Sequence, residues 1–353
     1  MTTAEQTQQA IVRGDWNRVF TLAQTWSQEA TRSGDQQSGQ SGAPDPRPAF
    51  AMNLVHLLRG EFREAWRLHA QCLQEAGDIA RVREWVDAMA QAHQDQATVQ
   101  LVSGLFLGQS GGSEQSLTCY KEAIRLDPGW AVPHYFLGQI YERIGRLEVA
   151  IKEYREAVKL DPQYIAARTN LGVAYQEQGQ LEMAIPQYRG VIKLRPQDPI
   201  AHANLACALA EQGKIEAAIR SYKDALALNP QDAEVHFALG GVYETKNRPD
   251  LAQREYQEAL KADPTFAPAE TAIGWIFFER GQWHDAEETF HRALAHHPED
   301  ARAYFGLGRI YNERGRRDMA IEHFNKAIKL EKDPSRQATI MNYLQRTGVS
   351  AYS

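Results

Sequence analysis

Imidazole is the first chemistry to weigh in this sequence. His134, His202 and His236 stand apart by whole multiples of 34 residues, and His284, His291, His296 and His297 crowd a later stretch. A metal site on one helix needs two ligands at i and i+4. None of the spacings in the crowded group supplies that pair, and the periodic three are spread over successive copies of one pattern. They read as rings packed at a shared place in that pattern, and no metal is expected. Cys72, Cys119 and Cys207 are scattered and odd in number, with no CxxC, which fits buried thiols in a reducing compartment better than a disulfide framework. There is no Gly-rich phosphate loop, no GxSxG and no HExxH. No catalytic residue, no cofactor and no enzyme activity is expected.

Whatever the chain does must therefore rest on the elements that set the period. Pro128, Pro162, Pro196, Pro230, Pro264 and Pro298 follow one another at intervals of 34 residues, the mark of a stacked repeat. With each repeat begun three residues after a proline, the eighth position holds Gly104, Gly138, Gly172, Ala206, Gly240, Gly274 and Gly308. The twentieth holds Ser116 and then Ala150, Ala184, Ala218, Ala252, Ala286 and Ala320. Position 24 is always aromatic, from Tyr120 and Tyr154 to Phe290 and Phe324, and position 11 is large, as in Tyr141, Tyr175 and Tyr243. Small residues at fixed points let two helices approach, and the rings fill the space above them. Position 15 holds Gly111, Gly145, Gly179, Gly213, Asn247, Gly281 and Gly315, where a first helix must end in a left-handed residue. The prolines end the second helix. Pro186 lies inside one such helix, with Gly190 soon after, and predicts a local bend.

These columns resemble the tetratricopeptide repeat (TPR) family over seven consecutive repeats, residues 97–334. The resemblance implies an all-α fold, an α-solenoid in which helix-turn-helix repeats stack into a right-handed superhelix. It also implies that first helices line a concave groove through positions 2, 5, 6, 9, 12 and 13, where an extended peptide or a helix of a partner protein binds. Carried onto this sequence, those positions give Tyr135, Gln139, Arg143, Asn170, Val173, Asn204, Phe237, Trp275, Phe278, Phe305 and Arg309 as partner-binding candidates. Phe237, Trp275, Phe278 and Phe305 form an expected aromatic anchor. Glu177, Glu211, Glu244, Glu279 and Glu313 form an expected acidic rim. Tyr135 and Ile200 stand where the family's carboxylate-binding lysines would be needed, so capture of a C-terminal carboxylate is not expected. Asn170 and Asn204 are similar instead to a short asparagine ladder that bonds a peptide backbone.

Outside the array, residues 1–30 read as a helical hairpin turning at Gly14 and Asp15, 31–48 as a flexible linker, and 49–96 as a degenerate repeat plus an extra helix. Residues 335–346 read as a capping helix and 347–353 as a tail. Trp16, Trp26, Trp66 and Trp85 concentrate in the irregular first third, and the reading there is gap-filling rings, with a docking surface as the alternative. A net charge of −6 offers no electrostatic reason to bind nucleic acid or an anionic membrane. The start lacks the basic and apolar regions of a signal peptide, and no apolar run reaches a membrane span. The expectation is a cytoplasmic scaffold or assembly factor for protein partners, and the Gln-rich composition suggests a bacterial source. The rival readings are a regulatory subunit docked through the tryptophan-rich third, and single-stranded RNA binding.

Overall fold

The structure, a computed structural model, describes residues 2–13, 15–36, 51, 95–109 and 113–346. It falls into two compact units, 1–194 and 195–353. The first holds α1 (Thr3–Val12), α2 (Trp16–Gln36), α3 (Ala97–Gln109), α4 (Ser113–Leu126), α5 (Ala131–Arg143), α6 (Leu147–Leu160), α7 (Ile165–Glu177) and α8 (Leu181–Leu194). The second holds α9 (Pro199–Glu211), α10 (Ile215–Leu228), α11 (Ala233–Thr245), α12 (Pro249–Ala262), α13 (Ala267–Glu279), α14 (Trp283–His296), α15 (Ala301–Glu313), α16 (Arg317–Leu330) and α17 (Pro334–Arg346). No strand occurs among the described residues, and each first helix packs on the second helix of its own repeat. This is an all-α repeat fold.

The packing follows the sequence columns closely. A Cβ placed on Gly138 would lie 2.6 Å from the ring of Tyr154, one on Gly240 2.4 Å from Tyr256, and one on Gly308 2.6 Å from Phe324. In six repeats the ring at position 24 thus lies against the bare backbone of position 8, and all seven position-24 rings are buried. Alanines at positions 20 and 27 are buried with them. Glycine 306 does the same for a neighbouring repeat, because its Cβ would meet Phe290 at 2.4 Å. Phe290 is therefore held between Gly274 of its own repeat and Gly306 of the next. Gly145, Gly179, Gly213, Gly281 and Gly315 have φ between 70° and 80°, and Asn247 has φ 55°, so each described position-15 residue makes the left-handed turn. Asp198, Asp232 and Asp300 cap the first helices that follow them by accepting from backbone N–H groups.

Three details depart from the sequence pattern or refine it. α2 runs on to Gln36, beyond Thr31, where the linker was expected to start, because extending an established helix adds one backbone bond per residue fixed. The remainder of that linker, the degenerate repeat and extra helix over 52–94, and the tail lie outside the described residues. α8 continues from Leu181 to Leu194 through Pro186, whose ring is on the exposed side. Gly190 makes room for Arg168, since a Cβ there would lie 2.8 Å from its Cδ. Pro334 opens α17 instead of ending α16, a place where the missing N–H costs nothing.

One acid links two repeats in the second unit. Tyr311 Oη donates to Glu287 Oε1 at 2.9 Å, and Arg314 Nη1 donates to Glu287 Oε2 at 2.5 Å. Burial pushes the Glu287 carboxyl up, but the bonds from Arg314 and Tyr311 outweigh it and hold it below the ordinary value. The Tyr311 hydroxyl is pushed up to about 12 by burial and then by Glu287.

Two outcomes are expected. Gly306→Ala destabilises the second unit by about 1–3 kcal/mol in denaturant unfolding, because the new methyl collides with a ring that cannot withdraw from Gly274. Glu287→Gln lowers the unfolding midpoint at pH 7. A carboxyl depressed in the folded state stabilises above its unfolded pKa of about 4.3 and loses that contribution as pH falls through the folded value, so the gap to the native chain closes in acid. Melts at pH 7 and pH 3 measure it.

Candidate functional site

A first helix spends positions 4, 7, 8 and 11 on its own second helix. The 3.6-residue period puts positions 2, 6, 9 and 13 on the opposite side and positions 5 and 12 on its flanks, where side chains at 5, 9 and 12 still touch the position-24 ring of their own second helix. These residues are described unit by unit.

In the first unit the face belongs to α5 and α7. Arg143 is exposed, and Gln139, Asn170 and Val173 are half-buried. Tyr135 departs from expectation: it is 1 % exposed, so it cannot meet a partner from where it stands. Its ring packs on Phe136, Tyr154 and Tyr164 at centroid distances of 5.0, 6.0 and 5.0 Å, because a ring at position 5 reaches its own second helix and the turn that leads into the next repeat. Gln139 Nε2 donates to its hydroxyl at 3.0 Å. Asn170 Nδ2 donates to Tyr154 Oη at 3.4 Å, and Tyr154 Oη donates to Glu142 Oε2 at 2.5 Å. Burial, and then Glu142, raise the Tyr154 hydroxyl, keeping it a donor. Tyr188 Oη donates to Gln176 Oε1 at 2.9 Å in the same way. The bonds from position 24 to position 12 went unnoticed in the sequence, although the twelve-residue spacing of an acid or amide before a tyrosine recurs there.

In the second unit Asn204, Phe237, Trp275, Phe305 and Arg309 are half-buried, while Phe278 is 8 % exposed and belongs to the interior. Three of the four expected anchor rings meet: Trp275 lies 5.6 Å from Phe278 and 5.7 Å from Phe305 between centroids. Phe237 stands apart, against Tyr256 at 5.4 Å and Phe266 at 5.5 Å. The cluster is closed by a residue outside the expected partner-binding set, Tyr343 of the capping helix α17, 5.7 Å from Phe305. Arg309 lies inside it, its guanidinium carbon 4.4 Å from the centre of Phe278, 5.2 Å from Tyr343 and 5.7 Å from Trp275. Trp275 Nε1 and Arg309 Nε are both sealed from solvent without an acceptor.

The acidic residues are more engaged than a free rim. Glu177, Glu279 and Glu313 are exposed, but Glu211 Oε1 accepts from Cys207 Sγ at 3.4 Å and Glu244 bonds the Tyr256 hydroxyl. Two of the periodic histidines join helix to helix, and the third bonds the turn before its own helix. His134 Nδ1 lies 2.7 Å from Glu153 Oε2, His236 Nδ1 2.8 Å from Glu255 Oε2, and His202 Nε2 3.0 Å from the Pro196 carbonyl. Glu270, 4 % exposed, is met by His296 Nδ1 at 3.0 Å. Among the described residues no group of three His, Cys, Asp or Glu is placed to hold a metal ion, and no helix is long and apolar enough to cross a membrane.

Helix pairs of 34 residues, a ring laid on a backbone glycine, and a left-handed turn at position 15 together define a tetratricopeptide repeat protein. A family model described as the cilia and flagella-associated protein 70 C-terminal domain matches residues 136–342, and one described as tetratricopeptide repeat matches 104–165. The first match spans more than half of the sequence, and the chain belongs to that family of tetratricopeptide repeats. No curated protein sequence matches the chain.

Among solved structures, a tetratricopeptide repeat protein from Parabacteroides merdae is similar at 16% identity and a TM-score of 0.59, covering 71% of this chain and 99% of its own. PilF of Pseudomonas aeruginosa is similar at 19% identity and 0.51, covering 62% and 98%. MamA is similar at 27% identity and 0.44, covering 47% and 96%. The first two bear on the fold alone.

The aromatic cage generates a measurable expectation. A double-mutant cycle of Arg309→Ala with Tyr343→Ala returns a coupling of about 0.5–1 kcal/mol in denaturant unfolding. Coupling near zero would show that the guanidinium gains nothing from the α17 ring.

Proposed function

We propose that this chain is a non-catalytic protein-recognition scaffold, serving as an adaptor or assembly factor. The first-helix face of each unit receives an extended segment or a helix of a partner protein. The observation that carries this reading is that successive first helices keep half-buried amides and rings on one face, where Phe237, Trp275 and Phe305 are steadied from below by the position-24 rings of their own second helices. Asn170 and Val173 in the first unit, and Asn204, Phe237, Trp275 and Phe305 in the second, are the residues assigned to contact, with Arg309, enclosed by three rings, holding the surface in place. An amide both donates and accepts, so Asn170 and Asn204 suit a peptide backbone, and half-buried rings suit apolar side chains. Tyr135 and Phe278 act beneath this surface by fixing the rings and amides above them. The cytoplasm, where thiols such as Cys119 and Cys207 stay reduced, is the compartment this role implies.

The test is capture of a random-sequence peptide display library by the full chain. Val173→Arg and Asn204→Ala each reduce recovery of selected peptides by about tenfold or more, a loss typical of interface positions that matter, while far-UV circular dichroism stays unchanged. Recovery unaffected by both substitutions would place the binding surface elsewhere.

A further inference from the structure

The second unit contains a pocket of about 400 Å³ where α15 meets the closing helix α17. Its floor is apolar, made by Phe305 and Ile340, and Phe305 is held in place by Trp275, Phe324 and Tyr343 at 5.7, 5.8 and 5.7 Å. Its sides carry Arg302 from one helix and Arg336 from the other, with Thr339 between and Glu331 at the turn. Arg302 and Phe305 occupy positions 2 and 5 of a first helix, so the pocket opens on the face assigned above to a partner segment.

The charges of this pocket are unequally engaged. Glu331 Oε1 already accepts from the Asp333 backbone N–H at 3.0 Å. Arg336 reaches Asp333 only at 3.7 Å, across one turn of an exposed helix start. Among the described residues the Arg302 guanidinium has no ion-pair partner, and no pair joins Glu331 to either arginine. Arg302, which also acts electrostatically on the Tyr256 hydroxyl, and Arg336 therefore both line one largely apolar hollow in a chain whose net charge is −6, a local departure from the molecule's own sign.

We propose that this pocket receives an acidic side chain next to a bulky apolar one on the partner segment. The carboxylate lies between Arg302 and Arg336, and the apolar neighbour lies on Phe305 and Ile340. A guanidinium matches a carboxylate in geometry as well as charge. Thr339 Oγ1 donates to Ser335 O at 2.9 Å, which leaves its lone pairs to accept from a peptide N–H. Glu331 at the turn disfavours a doubly charged phosphate more than a single carboxylate. This proposal rests on the recognition reading above and adds what the partner must carry.

The experiment pans a random dodecapeptide library, displayed without a free C-terminus, on the full chain and on the Arg302→Glu, Arg336→Glu double variant. Native chain is expected to enrich Asp or Glu beside Leu, Ile, Met or Phe. The best peptide, resynthesised with an amidated C-terminus, is expected to bind the double variant about tenfold more weakly. Its affinity for the native chain is expected to fall with added salt, because the pairs are partly exposed. Should the double variant not fold, the salt dependence and an Arg302→Lys, Arg336→Lys variant, which keeps the charge and binding within a fewfold, decide the matter. Peptides captured equally well and with the same composition by native and reversed chains, or a salt-insensitive complex, overturn the proposal and leave the recognition face standing. No peptide captured by the native chain overturns both.

Discussion

A tyrosine or phenylalanine ring laid against a backbone with no Cβ is the contact from which the rest of this molecule follows. At 2.4–2.7 Å from where a methyl would stand, the six rings that face a position-8 glycine leave no room for any side chain there. Glycine inside a helix costs about 1 kcal/mol against alanine. Burying an aromatic ring returns roughly 2–3 kcal/mol, so the exchange favours the close approach in every repeat. Once the two helices of a repeat are brought together this way, positions 20 and 27 must be small as well, and the left-handed residue at 15 must turn the chain within a few residues. The face opposite is then defined by what remains.

That logic explains why so much of the fold could be read before any coordinates. The proline interval, the small columns and the glycine at position 15 each report a local steric requirement, and local requirements leave fixed spacings in a sequence. Contacts between repeats leave fainter ones. Gly306 supports Phe290 of the preceding repeat, yet no other repeat has glycine at that position, so no column announced it. Tyr343 closes over Phe305 from outside the periodic array, where spacing carries no information. The helical run to Gln36 was hidden because its last residues are polar, and composition alone does not separate an exposed helix end from a linker.

The candidate face was legible by position and only partly by exposure. Tyr135 and Phe278 occupy ligand-facing positions but are large enough to lean into a neighbour, and burial decides against contact for both. Smaller residues at other positions of the face, Val173 at 9 and Asn204 at 6, are only half-buried because they are too short to lean into a neighbour. The general rule is that a position names a direction, while the length of the side chain decides whether it ends in the core or at the surface.

Polar chemistry beneath this face bears on what a partner must supply. The Asn170 amide donates at 3.4 Å, a long bond to a tyrosine hydroxyl that itself donates at 2.5 Å to Glu142, and it also bonds the Tyr135 hydroxyl, so a partner's acceptor has to replace both contacts. The opposite holds around Arg309. Its Nε and the Trp275 Nε1 are sealed without acceptors, each a penalty of about 1–3 kcal/mol, and three rings against the guanidinium offset much of that. An arginine held so firmly is spent on structure, binding α17 to α15 through Tyr343. The neighbouring Arg302 and Arg336, with no such cage, keep their charge available. Within one small region the same residue type thus divides its work, and the division follows from which guanidinium the rings enclose.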